Sequence, residues 1–280
     1  MAALELIDET FNDNRTELYE LSVQLRLDGF ALAIKDTERN TFIALVDYPL
    51  PSPIADHDAD WGPALKGLCE ALPCLTRPFK HIRAWYHNAP HTTAPAHLVD
   101  ATNAKQLLAL TQQVPPAFEL HLAPQPTGLQ PNTTIFAMPS ALAAEWLRLQ
   151  PNTELIGPMH HLAHRGYVCP WATYLLAETD GDQRLNLALF SNGTPMATNS
   201  FGCQTPTDML YYAVGFCQNL EAQPSQLPVK IVGHSTIEPE LGALMKQYFH
   251  EVSTGVIYNH ALLTYRLNKH GAKYFSLFNH

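Results

Sequence analysis

Apolar and polar positions alternate most cleanly near the start of the chain. From Leu21 it reads Leu-Ser-Val-Gln-Leu-Arg-Leu-Asp-Gly-Phe-Ala-Leu-Ala-Ile. Leu21, Val23, Leu25 and Leu27 take every second place, the period of a strand with one buried face. Asp28-Gly29 is a strong turn signal, because a type I′ turn needs positive φ at both central residues. A two-residue loop there sets Leu27 against Phe30, Leu25 against Leu32 and Val23 against Ile34. These apolar pairs fall on one face. A weaker copy runs from Thr173 to Phe190. It predicts Tyr174 and Leu176 opposite Leu189 and Leu187, across a turn at Asp180-Gly181-Asp182-Gln183.

The remaining pattern extends this pair into two similar halves. Residues 1–17 read as a loose lead-in. After the hairpin Tyr19–Asp36 come a strand at Thr41–Tyr48, a helix over Trp61–Leu72 and a strand at Lys80–His87. Residues 88–97 and 115–131, rich in Pro, read as loops on either side of a helix at Asp100–Gln112. A strand at Thr133–Met138 and a helix at Pro139–Leu149 close the first half. The second half predicts strands at Ala172–Thr179, Arg184–Phe190 and Thr194–Phe201, with Asn192-Gly193 as a tight turn. Thr205-Pro206-Thr207-Asp208 starts a helix. A strand at Val229–Val232, a helix at Pro239–Phe249 and a strand at Thr254–Tyr258 follow. Each half reads strand-strand-strand-helix-strand-helix-strand. The expected division is 18–150, a linker at 151–170, and 171–280. An antiparallel meander feeding a parallel αβ unit buries one sheet under helices. The expected class is therefore α/β (α+β), with two ribonuclease-H-like or actin-like lobes.

Composition narrows the function classes. The chain has 280 residues, 46% of them hydrophobic, and a formal net charge of −9. An acidic chain repels phosphate backbones, so no nucleic-acid partner is expected. The five cysteines form no CxxC pair, which argues against a disulfide framework or zinc ribbon. The N-terminus lacks the basic and apolar regions of a signal peptide. No apolar run spans a bilayer. The reading is a cytoplasmic protein with no direct membrane insertion.

The Tyr19–Ile34 hairpin, the segment from Thr37 through Phe42-Ile43-Ala44-Leu45, and the tail Lys273-Tyr-Phe-Ser-Leu-Phe carry a family resemblance. They resemble a bacterial family of uncharacterised proteins, best known from Bacteroidetes, with an actin-like fold. More distantly the chain is similar to actin-fold assembly proteins of type IV pili and type II secretion. The resemblance implies a nucleotide cleft built from two hairpin turns and a glycine-ended strand. The matching positions are Asp28 and Gly29, Asp180 and Gly181, and Gly233, His234 and Ser235. Each departs from the ATP-binding pattern. No hydroxyl follows Asp28-Gly29, and Phe30 is expected to place its ring where phosphate lies. Asp182 adds negative charge beside the second turn. His234 replaces a second glycine. ATP with magnesium is expected as at most a weak ligand, and no other cofactor.

Other chemistry is thinner. His160 and His164 have the i, i+4 spacing of a zinc helix, but His161 stands where the general base is needed. Asp56-His57-Asp58-Ala59-Asp60 alternates ligand-type side chains without the glycine of a calcium loop, so Asp60 reads better as a helix cap. Cys203 lies near a helix start that would lower its pKa. No catalytic residue and no metal site are expected. The favoured reading is a binding or assembly protein with a degenerate nucleotide cleft and an unidentified protein partner. The alternatives are an ATPase or phosphotransferase of the actin-like superfamily, and a His-based metal hydrolase.

Overall fold

A computed structural model describes residues 4–54, 59–125, 131–163, 169–181, 183–234, 238–255 and 261–279. The chain opens with β1 (Leu4–Ile7) and the meander β2 (Tyr19–Arg26), β3 (Gly29–Asp36) and β4 (Thr41–Pro49). Helix α1 (Gly62–Ala71) and β5 (His81–Tyr86) follow. Next come β6 (His91–Pro95), α2 (Ala104–Ala109), β7 (Phe118–Pro124), β8 (Asn132–Pro139), α3 (Ser140–Leu149) and β9 (Thr153–Leu155). The second half runs β10 (Thr173–Asp180), β11 (Arg184–Ser191), β12 (Thr194–Gly202), α4 (Pro206–Asn219), β13 (Pro228–His234), α5 (Glu238–Met245) and β14 (Glu251–Thr254). Strand β15 (Leu262–Leu263) and helices α6 (Tyr265–Asn268) and α7 (Phe275–Asn279) end it.

The repeat is real at the level of topology. The first sheet contains the order β4-β3-β2-β5-β9 and the second is β12-β11-β10-β13-β14. In both, three antiparallel strands lead through a helix to a parallel strand, and through a second helix to another. The expectation misplaced the second crossover of the first half. The helix at Asp100–Gln112 and the strand at Thr133–Met138 do not belong to this sheet. They form an insertion, in which β6, β8 and β7 make a small separate sheet. Helix α3 and the short β9 complete the first repeat. The segments read as loops at 88–97 and 115–131 supply β6 and β7, because threonine, histidine and proline sit readily in short edge strands. The lead-in supplies β1, which pairs with β4.

Turn chemistry decides register, and it behaves differently in the three hairpins. At Asn192-Gly193 both residues have positive φ, 49° and 70°, and Ser191 lies opposite Thr194. That is the expected type I′ arrangement. In the first hairpin the loop is Leu27-Asp28. Leu25 faces Phe30, Val23 faces Leu32 and Leu21 faces Ile34, a shift of two from expectation. A shift of two leaves every side chain on its own face, so alternation alone cannot detect it. Gly29, at φ 154°, begins β3, where a Cβ would strike the Tyr48 carbonyl on β4. Its freedom serves that close approach rather than the turn. In the hairpin of β10 and β11, Tyr174 faces Phe190 and Leu176 faces Ala188, one residue from expectation. Both faces of these strands are buried, so alternation carries no register signal there.

Each sheet buries two faces. Leu21, Val23, Leu25, Phe30 and Leu32 meet Trp61, just before α1, Leu65 from α1, and Leu142 and Trp146 from α3. Leu175, Leu187, Val229 and Ile231 meet Met209, Ala213 and Leu241 from α4 and α5. Helix α4 starts with a full capping box between Thr205 and Asp208, as its sequence signals. The tail covers the remaining faces. Leu267, Tyr274, Leu277 and Phe278 pack on Ala31, Ala33, Leu45 and Trp85 of the first sheet. Phe275 packs with Tyr174, Leu176, Phe190 and Val232 of the second. The segment from Leu262 to Asn279 therefore returns to the first sheet instead of staying with the second half. Likewise 151–170 is no bare linker: β9 pairs with β5, and Met159 and Leu162 pack against the second sheet.

Leu25 is fully buried. Leu25→Ala is expected to cost about 2–5 kcal/mol by leaving a cavity among neighbours that relax only partly. Urea denaturation of the variant checks this, and an unchanged midpoint contradicts the packing described.

Candidate functional site

The ends of β2, β5, β10 and β13 converge on a cavity of about 220 Å³ between the two sheets, closed on one side by the tail. Three polar groups line it or stand directly behind it. In the first, Arg26 donates to Asp47 at 2.6 Å and to Asp28 at 3.1 Å. Asp47 also accepts from the Tyr274 hydroxyl at 2.6 Å, and Lys273 lies 3.7 Å away. Burial pushes the Asp47 carboxyl up, but the hydrogen bonds from Tyr274 and Arg26 and the two positive charges outweigh it, so its pKa is lowered.

The second group centres on His87 at the end of β5. The Gln24 amide donates to Nδ1 at 2.8 Å, which leaves the proton on Nε2 facing Asp180 at 3.1 Å. Burial lowers the His87 pKa, with Arg184 and Arg26 adding to it against Asp180. His91 is lowered by burial too. The third group is Glu178, buried on β10. It accepts from His161 and from Asn186, both at 2.9 Å, and Asn186 accepts from Ser200 at 2.7 Å. Burial opposes ionisation of Glu178, yet the charge and hydrogen bonds of His161, with Asn186, leave its pKa lowered.

The expected site residues separate. Asp180, Gly181 and Gly233 line the cavity. Asp28 and Gly29 do not; Asp28 is two-thirds exposed and pairs with Arg26 on its own hairpin. Phe30 points into the core, 6.4 Å from Trp61, so its ring does not lie in the cleft. Gly233 has φ 97°, and a Cβ there would strike the backbone of Thr179. Its lack of a side chain is required by the approach of β13 to β10. The backbone of His234 pairs with Asp180, while its side chain, Asp182 and Ser235 lie outside the described residues.

His161 pairs with Glu178, and His164 of the His160–His164 pair lies outside the described residues, as do Asp56, His57 and Asp58. Among the described residues no group of three or more ligand-type side chains is arranged for a metal. Asp60 accepts from the backbone N–H of Gly62, but Trp61 holds the cap position of α1 with no side-chain capping bond, so Asp60 lies one residue ahead of the cap expected of it. Cys203 departs from expectation. Burial, with Asp208 nearby, raises its pKa to about 11. The residues that build the cavity were visible in one respect. Gln24, Asp47 and Glu178 are polar residues set inside apolar strand runs. Such residues are buried only when held by partners.

Acid stability reports on these groups. His87 and His91 are lowered from 6.5, so unfolding takes up protons there first. Their contribution is complete above that value and is lost as pH falls below it. Asp47 and Glu178, lowered from 3.8 and 4.5, add a second loss that begins as pH drops through those values. Urea midpoints should therefore fall in two stages between about pH 7.5 and pH 3.5. A His87→Gln, His91→Gln double variant should shrink the first stage to the part due to His121, whose pKa burial also lowers, and keep the second. A wild-type midpoint that is flat down to about pH 5 contradicts the buried neutral imidazoles.

Comparison with known proteins bears on the fold. A protein with actin-like ATPase fold and unknown function from Bacteroides thetaiotaomicron superposes with a TM-score of 0.68 at 16% identity, covering 88% of this chain and 94% of that one. The PilM-PilN type IV pilus biogenesis complex gives 0.54 at 14% identity, covering 93% and 96%. At these identities the likeness shows the actin-like fold alone. No curated protein matches the chain significantly. The family model described as "Protein of unknown function (DUF3822)" matches residues 8–252. With most of its length inside that match and its two repeated sheets in actin-like order, the chain belongs to the DUF3822 family.

Proposed function

We propose that this chain is a binding or assembly protein that uses the actin-like fold as a scaffold, with its interlobe cleft given over to internal contacts. The observation that carries the reading is the Asp47 cluster. Of the cations that line this cavity, Arg26 and Lys273 both face Asp47, which Tyr274 also holds, while Arg184 turns to the His87 carbonyl and Asn88. A phosphate group would have to displace a buried carboxylate from these partners. Stripping the buried Asp47 carboxylate of its cations leaves an uncompensated charge, which costs several kcal/mol, roughly 3–5.

Charge supports the same reading in the cavity of about 220 Å³. Glu178 and Asp180 also line it and place negative charge beside any incoming phosphate. A partner protein fits a scaffold role, and PilM, which shares the fold, stands with PilN in a type IV pilus biogenesis complex. No helix among the described residues is long and apolar enough to cross a membrane.

Titration with ATP and magnesium tests the reading. No stabilisation of the melting transition is expected at millimolar nucleotide. A nucleotide at 100 times its dissociation constant would stabilise by about 2.7 kcal/mol, an easily read shift. Gly233 variants are unsuited as controls, since they strike the Thr179 backbone. Lys273→Ala is the better one, because Lys273 is half-exposed and at the cavity. A micromolar dissociation constant that this variant weakens would make the ATPase or phosphotransferase reading the favourite.

A further inference from the structure

Two cavities of about 540 and 500 Å³ adjoin outside the interlobe cavity, between the insertion and the second sheet. They share His91, Gln112 and Ser200 in their walls. One wall includes His91, Thr92 and Thr93 in succession, and the facing wall Thr198, Asn199 and Ser200. Successive side chains of a strand point to opposite faces. A space that touches three in a row from one strand therefore meets that strand edge-on. Both strands are edges among the described residues: β6 ends its sheet and β12 ends the other. The cleft is a slot between two sheet edges.

The backbone groups facing the slot are occupied in a telling way. Pro90 C=O accepts from Ala137 across the insertion sheet, so His91 turns its own N–H and C=O outward. The side-chain amide of Gln112 takes both, at 3.3 and 2.9 Å. On β12, Cys203 N–H donates to Gln183 across the ladder, so by alternation Gly202, Ser200 and Thr198 turn outward. Ser200 N–H donates to the amide oxygen of Asn199 at 2.8 Å. On each edge a side-chain amide stands where the peptide group of a neighbouring strand would bond. Such surrogates keep an edge satisfied without pairing it.

We infer that this slot binds an extended peptide segment of a partner protein, which adds as a strand along β12 and bears an acidic side chain that reaches Arg184. The inference rests on the binding-protein reading above and deepens it. Peptide groups would replace the Asn199 and Gln112 amides in kind, with main-chain hydrogen bonds supplying affinity. Arg184 supplies the charge preference. Among the described residues its guanidinium makes only long contacts, 3.5 Å to the His87 carbonyl and 3.3 Å to Asn88, and no described carboxylate pairs with it. Asp180, the carboxylate in the slot wall, is engaged by His87. The walls are otherwise mainly hydroxyl and amide side chains, which suits a polar backbone rather than an apolar helix.

Selection of short random peptides displayed on phage, against the immobilised full chain, tests this. Enriched sequences are then synthesised and measured by fluorescence anisotropy. The expected result is a set carrying Asp or Glu whose binding weakens by about tenfold or more in Arg184→Gln and in Ser200→Pro. Proline removes an outward N–H but no ladder bond, so β12 still pairs with β11. Ser200→Ala keeps that N–H and should keep binding, which separates the backbone role from loss of the hydroxyl contact with Asn186. Hydrogen exchange should slow at Thr198 and Gly202 on peptide addition. Retained binding in Ser200→Pro, protection confined to other strands, or failure to enrich any peptide over an unrelated protein would each overturn the inference. So would light scattering that shows two copies joined through this edge. None of these outcomes changes the ATP titration, so the two readings fail separately.

Discussion

Asp47 fastens the first sheet to a tail that both halves share. It sits on β4 of the first sheet, and its carboxylate gathers Arg26 from β2 with Tyr274 and Lys273 from the segment before α7. That fixes where α7 begins, and α7 serves two cores. Leu277 and Phe278 complete the face of the first sheet opposite α1 and α3, while Phe275 packs on the face of the second opposite α4 and α5. Without the tail, Ala31, Leu45 and Trp85 on one side and Tyr174 and Phe190 on the other lose apolar neighbours.

The same tail sets the chemistry of the cleft. An actin-like fold offers a space between lobes, and here that space is narrowed by Lys273 to Ser276. Buried carboxylates and imidazoles are each held by partners: Glu178 by His161 and Asn186, and His87 by Gln24 and Asp180. Fully partnered polar networks rigidify a core. The buried thiols are equally quiet. Burial raises the pKa of Cys74 and Cys203 to about 11 and that of Cys217 to about 12. The interior network also has an outlet, because Glu178 bonds Asn186 and Asn186 bonds Ser200 on β12. The edge facing the insertion is thus tied by hydrogen bonds to the floor of the interlobe cavity.

The insertion is where this chain departs most from its own repeat. The second half passes directly from β13 through α5 to β14, whereas the first half interrupts the same path after β5. The interruption builds β6, β8 and β7 and carries them opposite β12. A duplicated fold becomes asymmetric in this way, and the asymmetry creates a surface that neither half has alone.

Periodicity and turn chemistry were enough to determine the strands of both meanders, the I′ turn at Asn192-Gly193, the capped start of α4 and the element order of the second half, but not the second crossover of the first. These depend on neighbours within a few residues, and local sterics and burial act at that range. The register of β2 on β3 needed tertiary contact, since Gly29 answers to the Tyr48 carbonyl on another strand. Gly233 likewise answers to Thr179, so a motif glycine turned out to be a packing glycine. The cavity was legible only as odd polar residues in apolar runs, Gln24, Asp47 and Glu178, because which partner meets each one depends on strands far apart in the chain. The tail carried little periodic signal of its own. Only the folded sheets decide that Tyr274 meets Asp47, a contact that spans most of the chain and that no local pattern can encode.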